Sequence, residues 1–400
     1  MLPGFVAVIA IYRGVSVDGL DGGAAMGLAS YTFSGPCGSS KKEQDMSSFV
    51  PKQPSSKAVR TAVEDTVDIL AENRKSRRKF LGNVGAGALS AAALSATGGV
   101  MVGGSAAQAQ TVNDAAVLNF ALNLEYLEAE FYTLAVSGNL INEAPYNIAI
   151  TGTTSGSNPA GGGTVTVKAR TAGTPLVTGF TIGGTTAVQQ YANEIAADER
   201  NHVIALRATL GNLGSAPAAR PNIDLLNSFN AAGTAIGLGS FDPYGSPLAF
   251  LLGSFVFEDV GVTAYKGGSS LLRNRDVLTA AAGILAVEAY HSGSIRTLLF
   301  QQAGVEVTPG VTVADVAQRI SNLRDSADGP DDLDQGVTTS QPTSLTATGA
   351  ATGAANLIPT DVNSIAFSRT PAQVLGVVYL GGAVGTGGGF FPSGLNGAVR

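Results

Sequence analysis

The sequence holds only two histidines, and each stands three residues after a glutamate: Glu199-Arg200-Asn201-His202 and Glu288-Ala289-Tyr290-His291. In a helix three residues turn the chain by about 300°, so each carboxylate and its imidazole lie one turn apart on the same face. With 12 glutamates in 400 residues, the chance that both histidines carry Glu at that position is roughly 0.1%. Each motif alone reads as a solvated intrahelical pair; two copies, with no other histidine, point to shared metal ligation.

Apolar residues recur at helical spacing in four stretches, about 112–137, 186–213, 246–270 and 276–304. The first and third each carry a glutamate followed seven residues later by tyrosine, Glu125 with Tyr132 and Glu258 with Tyr265. Seven residues are about two turns, which brings each pair within about 20° of one line along its helix. Glu125 shares its side with Leu118, Ala121, Leu122 and Ala129, so a carboxylate stands in the middle of an apolar stripe. Such a group, buried without a partner, costs several kcal/mol or takes up a proton. A shared pair of divalent metal ions would compensate it.

Glu128, about 60° from Glu125, is an additional or alternative candidate ligand, whereas Glu130 and Glu194, about 140° off the ligand faces, read as solvent-facing charges. Tyr132 and Tyr265 read as packing residues whose hydroxyls hydrogen-bond groups around the ligands. Between the first two helices lies a Gly/Thr/Ser-rich insert, about 138–183, with short strands expected at Thr164–Val167 and Val177–Ile182. Beyond the fourth helix a further helix is expected at Val313–Arg324, N-capped by Thr312, and a last one at Pro371–Tyr379 before a Gly-rich tail. The acidic run Asp325, Asp328, Asp331, Asp332 and Asp334 lacks the register of a calcium loop and reads as a solvated linker.

Composition narrows the function classes. A single cysteine, Cys37, excludes a disulfide framework, and so little sulfur and imidazole exclude a zinc finger or ribbon. From Gln110 onward the chain has 13 Lys and Arg against 22 Asp and Glu, about −9, and no basic stripe, which argues against nucleic acid. The Gly-rich stretches at 161–163 and 387–389 have no following Lys-Ser/Thr, so no phosphate loop is implied. Ligation is left to carboxylate and imidazole, which suits iron or manganese better than magnesium.

The order Glu, Glu-x-x-His, Glu, Glu-x-x-His over four helices resembles the ferritin-like di-metal carboxylate family. Asn123 to Tyr132 and Glu194 to His202 strengthen the resemblance, and the tail Phe390-Phe391-Pro392-Ser393-Gly394-Leu395-Asn396-Gly397 extends it more loosely. Among the branches it is most similar to bacterial ferritin-like domain proteins related to plant desiccation-related proteins. The resemblance implies an all-α fold, a ferritin-like antiparallel four-helix bundle over 110–305, with a small β-rich insert between helices 1 and 2 and a C-terminal extension over 306–400. It further implies two iron or manganese ions held by Glu125, Glu199, His202, Glu258, Glu288 and His291, with Glu199 and Glu288 bridging. Glu125 to Glu199 spans 74 residues against 30 for Glu258 to Glu288. The insert in the first hairpin and the long tail argue against a closed storage cage and leave a homo-oligomer open. Gly261 interrupts the third helix at about 1 kcal/mol relative to Ala.

Residues 1–109 read as a leader. Ser76-Arg77-Arg78-Lys79-Phe80-Leu81, an uncharged run rich in Gly and Ala, and Ala107-Gln108-Ala109 resemble a twin-arginine export signal, cleaved after Ala109. The glycines make a permanent membrane anchor unfavourable. The expected product is periplasmic or secreted, with O2 or peroxide as small-molecule partner. Its expected activity is iron, O2 or peroxide redox chemistry; manganese-catalase-like peroxide disproportionation and a non-catalytic desiccation-stress role are the alternatives.

Overall fold

The computed structural model describes residues 113–180, 187–339 and 353–400. The expected leader, with its paired arginines, Cys37 and the cleavage position after Ala109, lies outside the described residues.

Four long helices build the core. Helix α1, Asp114–Ser137, is capped by the Asn113 side chain, which accepts from the Ala116 N–H at 2.8 Å, and ends at Gly138 with φ 70°. A Cβ at Gly138 would strike the Thr174 carbonyl, so the glycine serves both the left-handed stop and the close approach of the insert. Strand β1, Val165–Thr166, and helix α2, Ala187–Asn212, follow. β1 pairs in parallel with β2, Ile223–Asp224, so the insert is tied to the segment after α2. The strand expected from Val177 does not form: Leu176 and Val177 donate their N–H groups to the last carbonyls of α1, Leu134 and Ala135, and Val177–Phe180 is irregular. Thr181 and Ile182 lie outside the described residues.

Helix α3, Asn227–Ala235, was not visible as a period because it is only about two and a half turns long. Helix α4, Pro247–Ser269, starts at the Ser246 cap with Pro at its first position, and α5, Arg275–Gln301, starts at the Asn274 cap. A hairpin of β3, Glu306–Thr308, and β4, Val311–Thr312, leads into α6, Val313–Asp328. Thr312 caps α6 with Asp315 reciprocating, as its sequence position implies, and the helix runs one turn beyond Arg324. Helix α7, Pro371–Val378, has the same device in Thr370 and Gln373.

Side-chain contacts fix the directions of the helices. Tyr126 meets Arg207 while Thr133 meets Arg200, so α1 and α2 are antiparallel. Tyr132 meets Glu258 while Tyr265 meets Glu125, so α1 and α4 are antiparallel too. The protein is an all-α bundle with a few very short strands. α1 is buried on every side from Val117 to Ala135, and α4 nearly so. Among the described residues α4 alone is long and apolar enough to cross a membrane, but 89% of its apolar window is buried inside the protein, which marks a core helix.

The C-terminal extension closes the bundle. Phe390 packs its ring on Phe229 and Phe257, and Asn396 exchanges hydrogen bonds with Asn123 of α1. The acidic run is not the solvated linker its composition implies. Asp328 and Asp334 are buried and paired with Arg369, and Asp334 also with Arg324. Asp331 and Asp332 remain exposed. Arg296 and Arg324 converge on buried Asp259, next to Glu258, and so lock α4 to α5 and α6.

Candidate metal centre

The residues singled out on the four long helices meet in the middle of the bundle. Glu125, Glu199, Glu258 and Glu288 are at most 1% exposed, His202 is 7% and His291 5%. His202 Nδ1 lies 3.2 Å from Glu125, 3.4 Å from Glu199 and 3.7 Å from Glu288. His291 Nδ1 lies 3.0 Å from Glu199 and 3.6 Å from Glu258. The donor atoms thus form two groups, Glu125, Glu199, His202 and Glu288 on one side and Glu199, Glu258 and His291 on the other, each within 4.8 Å. Glu199 belongs to both, whereas Glu288 groups with His202 alone.

The two tyrosines pair across the bundle and not along their own helices. Tyr132 of α1 donates its hydroxyl to Glu258 of α4, and Tyr265 of α4 donates to Glu125 of α1. The seven-residue spacing put each tyrosine at the right height, and antiparallel packing carried it to the opposite glutamate. Gly261 does not interrupt α4. A Cβ there would sit well inside contact distance of Glu288 Oε2 and 3.0 Å from its Cδ, so the glycine makes room for a carboxylate. Glu128 is buried in the same region, its Oε1 3.6 Å from that Cβ position.

Glu130 does not face solvent. It is fully buried and paired with Arg220, which also donates to the Gly163 carbonyl and Asn142. Glu194 is exposed, as its helix position implies. Asp198 was not singled out in the sequence, yet its carboxylate lies 3.2 Å from His291 Nε2. Its place one turn before His202 was the available signal, but its partner sits on another helix.

With protons as the only counter-charge the cluster is strongly perturbed. Burial raises Glu125 to about 7, with Glu199 adding to the rise and His202 opposing it. Burial also raises Glu258, and it drives Glu128 and Glu288 well above the usual carboxylate range, with neighbouring glutamates adding. Glu199 resists: burial pushes it up, but the close approach and charge of His202 and His291 hold it below the usual range. Burial lowers both imidazoles, yet the carboxylates outweigh it and raise His202 to about 11 and His291 to about 12.

Among the described residues, five buried carboxylate oxygens, on Glu199, Glu258 and Glu288, have no hydrogen-bond partner, nor has His291 Nδ1. Orphaned anionic donors are costly in a packed core, and a mixed carboxylate and imidazole set is what borderline first-row ions take. The donor set therefore fits a metal site.

The profile of the ferritin-like domain family matches residues 113–301. A ferritin-like catalase of Nesocodon mauritianus is 29% identical over 290 residues, 72% of this chain and 84% of that protein. A desiccation-related protein of Craterostigma plantagineum is 32% identical over 270 residues, 66% of this chain and 77% of that protein. No solved structure matches the chain. With the bundle, the buried glutamate and histidine cluster and these relatives in agreement, the chain belongs to the ferritin-like family, in the company of desiccation-related proteins.

Proposed function

We propose that the chain is an exported metalloprotein whose dinuclear iron or manganese centre acts on peroxide or O2, in the service of stress protection. The observation that carries this reading is the convergence of six buried donor groups from four helices, with five carboxylate oxygens left without a partner among the described residues. Glu125, Glu199, His202 and Glu288 would hold one ion and Glu199, Glu258 and His291 the other, with Glu199 shared. Iron or manganese bound there supplies reversible one-electron changes at two adjacent ions. The relative named as a ferritin-like catalase supports peroxide as the substrate class, and the desiccation-related relative supports the stress role.

The chain's own residues do the positioning. The Tyr132 and Tyr265 hydroxyls hold Glu258 and Glu125 from behind. Asp198 accepts from His291 Nε2, which leaves Nδ1 as the lone-pair donor facing Glu199 and Glu258. The C-terminal Phe390 and the insert close the bundle from outside, so water is excluded and each charge interaction is strengthened.

A second reading keeps the metals for stability alone, and the near-complete closure of the centre favours it. Metal analysis of the exported protein, followed by O2 release from hydrogen peroxide and O2 uptake with ferrous iron, tests both. About two iron or manganese ions per chain with O2 release makes it a catalase. O2 uptake makes it a ferroxidase. Bound metal with neither supports the structural role, and no bound metal overturns the dinuclear reading. The paired arginines support export by the twin-arginine route, with a periplasmic or secreted product; a substitution of Arg77 and Arg78 by Lys that left export intact would refute this.

A further inference from the structure

Glu128 is the buried carboxylate beside the centre that the proposed function leaves unused. It stands one turn after Glu125 on α1 and is 4% exposed. Among the described residues it has no hydrogen-bond partner, so the protein satisfies neither an ionised nor a protonated carboxyl group there. On one side it borders a cavity of about 20 Å3 that is otherwise apolar, walled by Leu124, Leu127, Val256, Val260 and Phe390. On the other side its Oε1 reaches the space left by Gly261, which the Glu288 carboxylate also occupies.

The rest of the centre is matched between the two hairpins: Glu125 with Glu258, Tyr265 with Tyr132, His202 with His291. Three residues after the two terminal glutamates the match breaks, with Glu128 on α1 and Gly261 on α4. A side chain is removed on one helix where a carboxylate is added on the other.

Charge then distinguishes its role. With two divalent ions bound, four carboxylates would balance their charge and a fifth would leave one negative charge in a low-dielectric core, a surplus that the singly oxidised pair would balance. We propose that Glu128 is a fifth carboxylate of the centre and biases it toward the oxidised state of the metal pair. This rests on the dinuclear reading.

The test uses the full exported protein loaded with iron or manganese, with two readouts: metal per chain, and the midpoint potential from a spectroelectrochemical titration. Glu128→Gln keeps the shape and removes the charge. At a fixed potential its ratio of oxidised to reduced centre is expected to fall at least tenfold, a positive shift of about 59 mV for one electron. Glu128→Asp keeps the charge and is expected to return toward the wild-type potential, a rescue that packing alone would not give. Loss of one of the two ions in Glu128→Gln also supports the proposal. Full metal content at the wild-type potential in Glu128→Gln overturns it and makes Glu128 a protonated core residue. Wild-type protein without metal would instead remove the dinuclear reading on which the proposal stands.

Discussion

Gly261→Ala separates what the helix wants from what the centre wants. In an ordinary helix interior the change stabilises by about 1 kcal/mol. Here the new methyl group would meet Glu288, with its Cδ 3.0 Å away and its Oε2 nearer still. The carboxylate is the free end of a side chain and moves aside, so the chelated protein keeps the propensity gain. Moving aside means a displacement of about 1 Å, against a tolerance of about 0.2 Å for a metal ligand. Glu288 then leaves the neighbourhood of His202, now 3.7 Å away. An affinity loss of about tenfold to a hundredfold follows, which at saturating metal lowers stability by about 1.4 to 2.7 kcal/mol. The expected result is a change of opposite sign in the two forms: Gly261→Ala matches or exceeds wild-type Tm in excess chelator and falls below it with metal. Thermal unfolding of both proteins in both conditions, with metal affinity from competition against a chromophoric chelator, measures it. Wild-type metal affinity in the variant would refute the assignment of Gly261 as the space that Glu288 needs.

Three further outcomes follow from the same contacts. Arg220→Met strips Glu130 of its partner and leaves a buried carboxylate uncompensated. A loss of about 3 to 5 kcal/mol, roughly 10 °C in Tm, is expected; adding Glu130→Gln should recover a large part of it, and a recovery near zero would deny the ion pair its role. Asp198→Ala frees the His291 ring, and metal affinity is expected to fall about tenfold to a hundredfold with little change in chelated-protein stability; unchanged affinity would make Asp198 a surface charge. In chelator, Glu125, Glu128, Glu258, Glu288 and both imidazoles all bind protons more tightly folded than unfolded. Their contribution is complete below the unfolded values and is lost as pH rises through the folded ones, about 7 for Glu125. Stability should therefore fall from pH 5 to 8 by about 1.4 kcal/mol per unit for each retained proton. With metal bound the slope should reverse, because protons compete with the metal; urea unfolding that shows the same slope in both conditions would contradict the cluster's electrostatics.

The four long helices were legible because apolar residues recur along each of them at helical spacing, and α6 because its cap, Thr312, stands where its pattern begins. The glutamates and histidines were legible for a stronger reason: two histidines at identical spacing leave little else to read. Glu130 was misplaced because a helical wheel takes the face opposite the ligands to be wet. α1 is covered there by the insert and by Arg220, which lies 90 residues along the chain, and no local period records what a distant loop will bring. The acidic run failed in the same way, since Arg369 and Arg324 reach Asp328 and Asp334 only once α6 and the extension are packed.

The limits of the site reading are more instructive, because they all concern which helix a side chain serves. Spacing along one helix fixes height and face, and on those grounds Tyr132 belonged with Glu125. Packing carries Tyr132 to Glu258 instead, and it brings Asp198, which spacing did not single out, to His291. The ligand set itself repeats between hairpins and so can be read from either. What makes the two halves different is carried by single positions: Asp198 stands before Glu199 where Val287 stands before Glu288, and Glu128 stands after Glu125 where Gly261 stands after Glu258. One imidazole is therefore braced by a carboxylate and, among the described residues, the other has no such brace. One terminal glutamate has a second carboxylate beside it and the other has a gap. A centre built this way gives its two metal positions different charge and different stiffness, so removal of metal should proceed in two steps, with the braced His291 side releasing last.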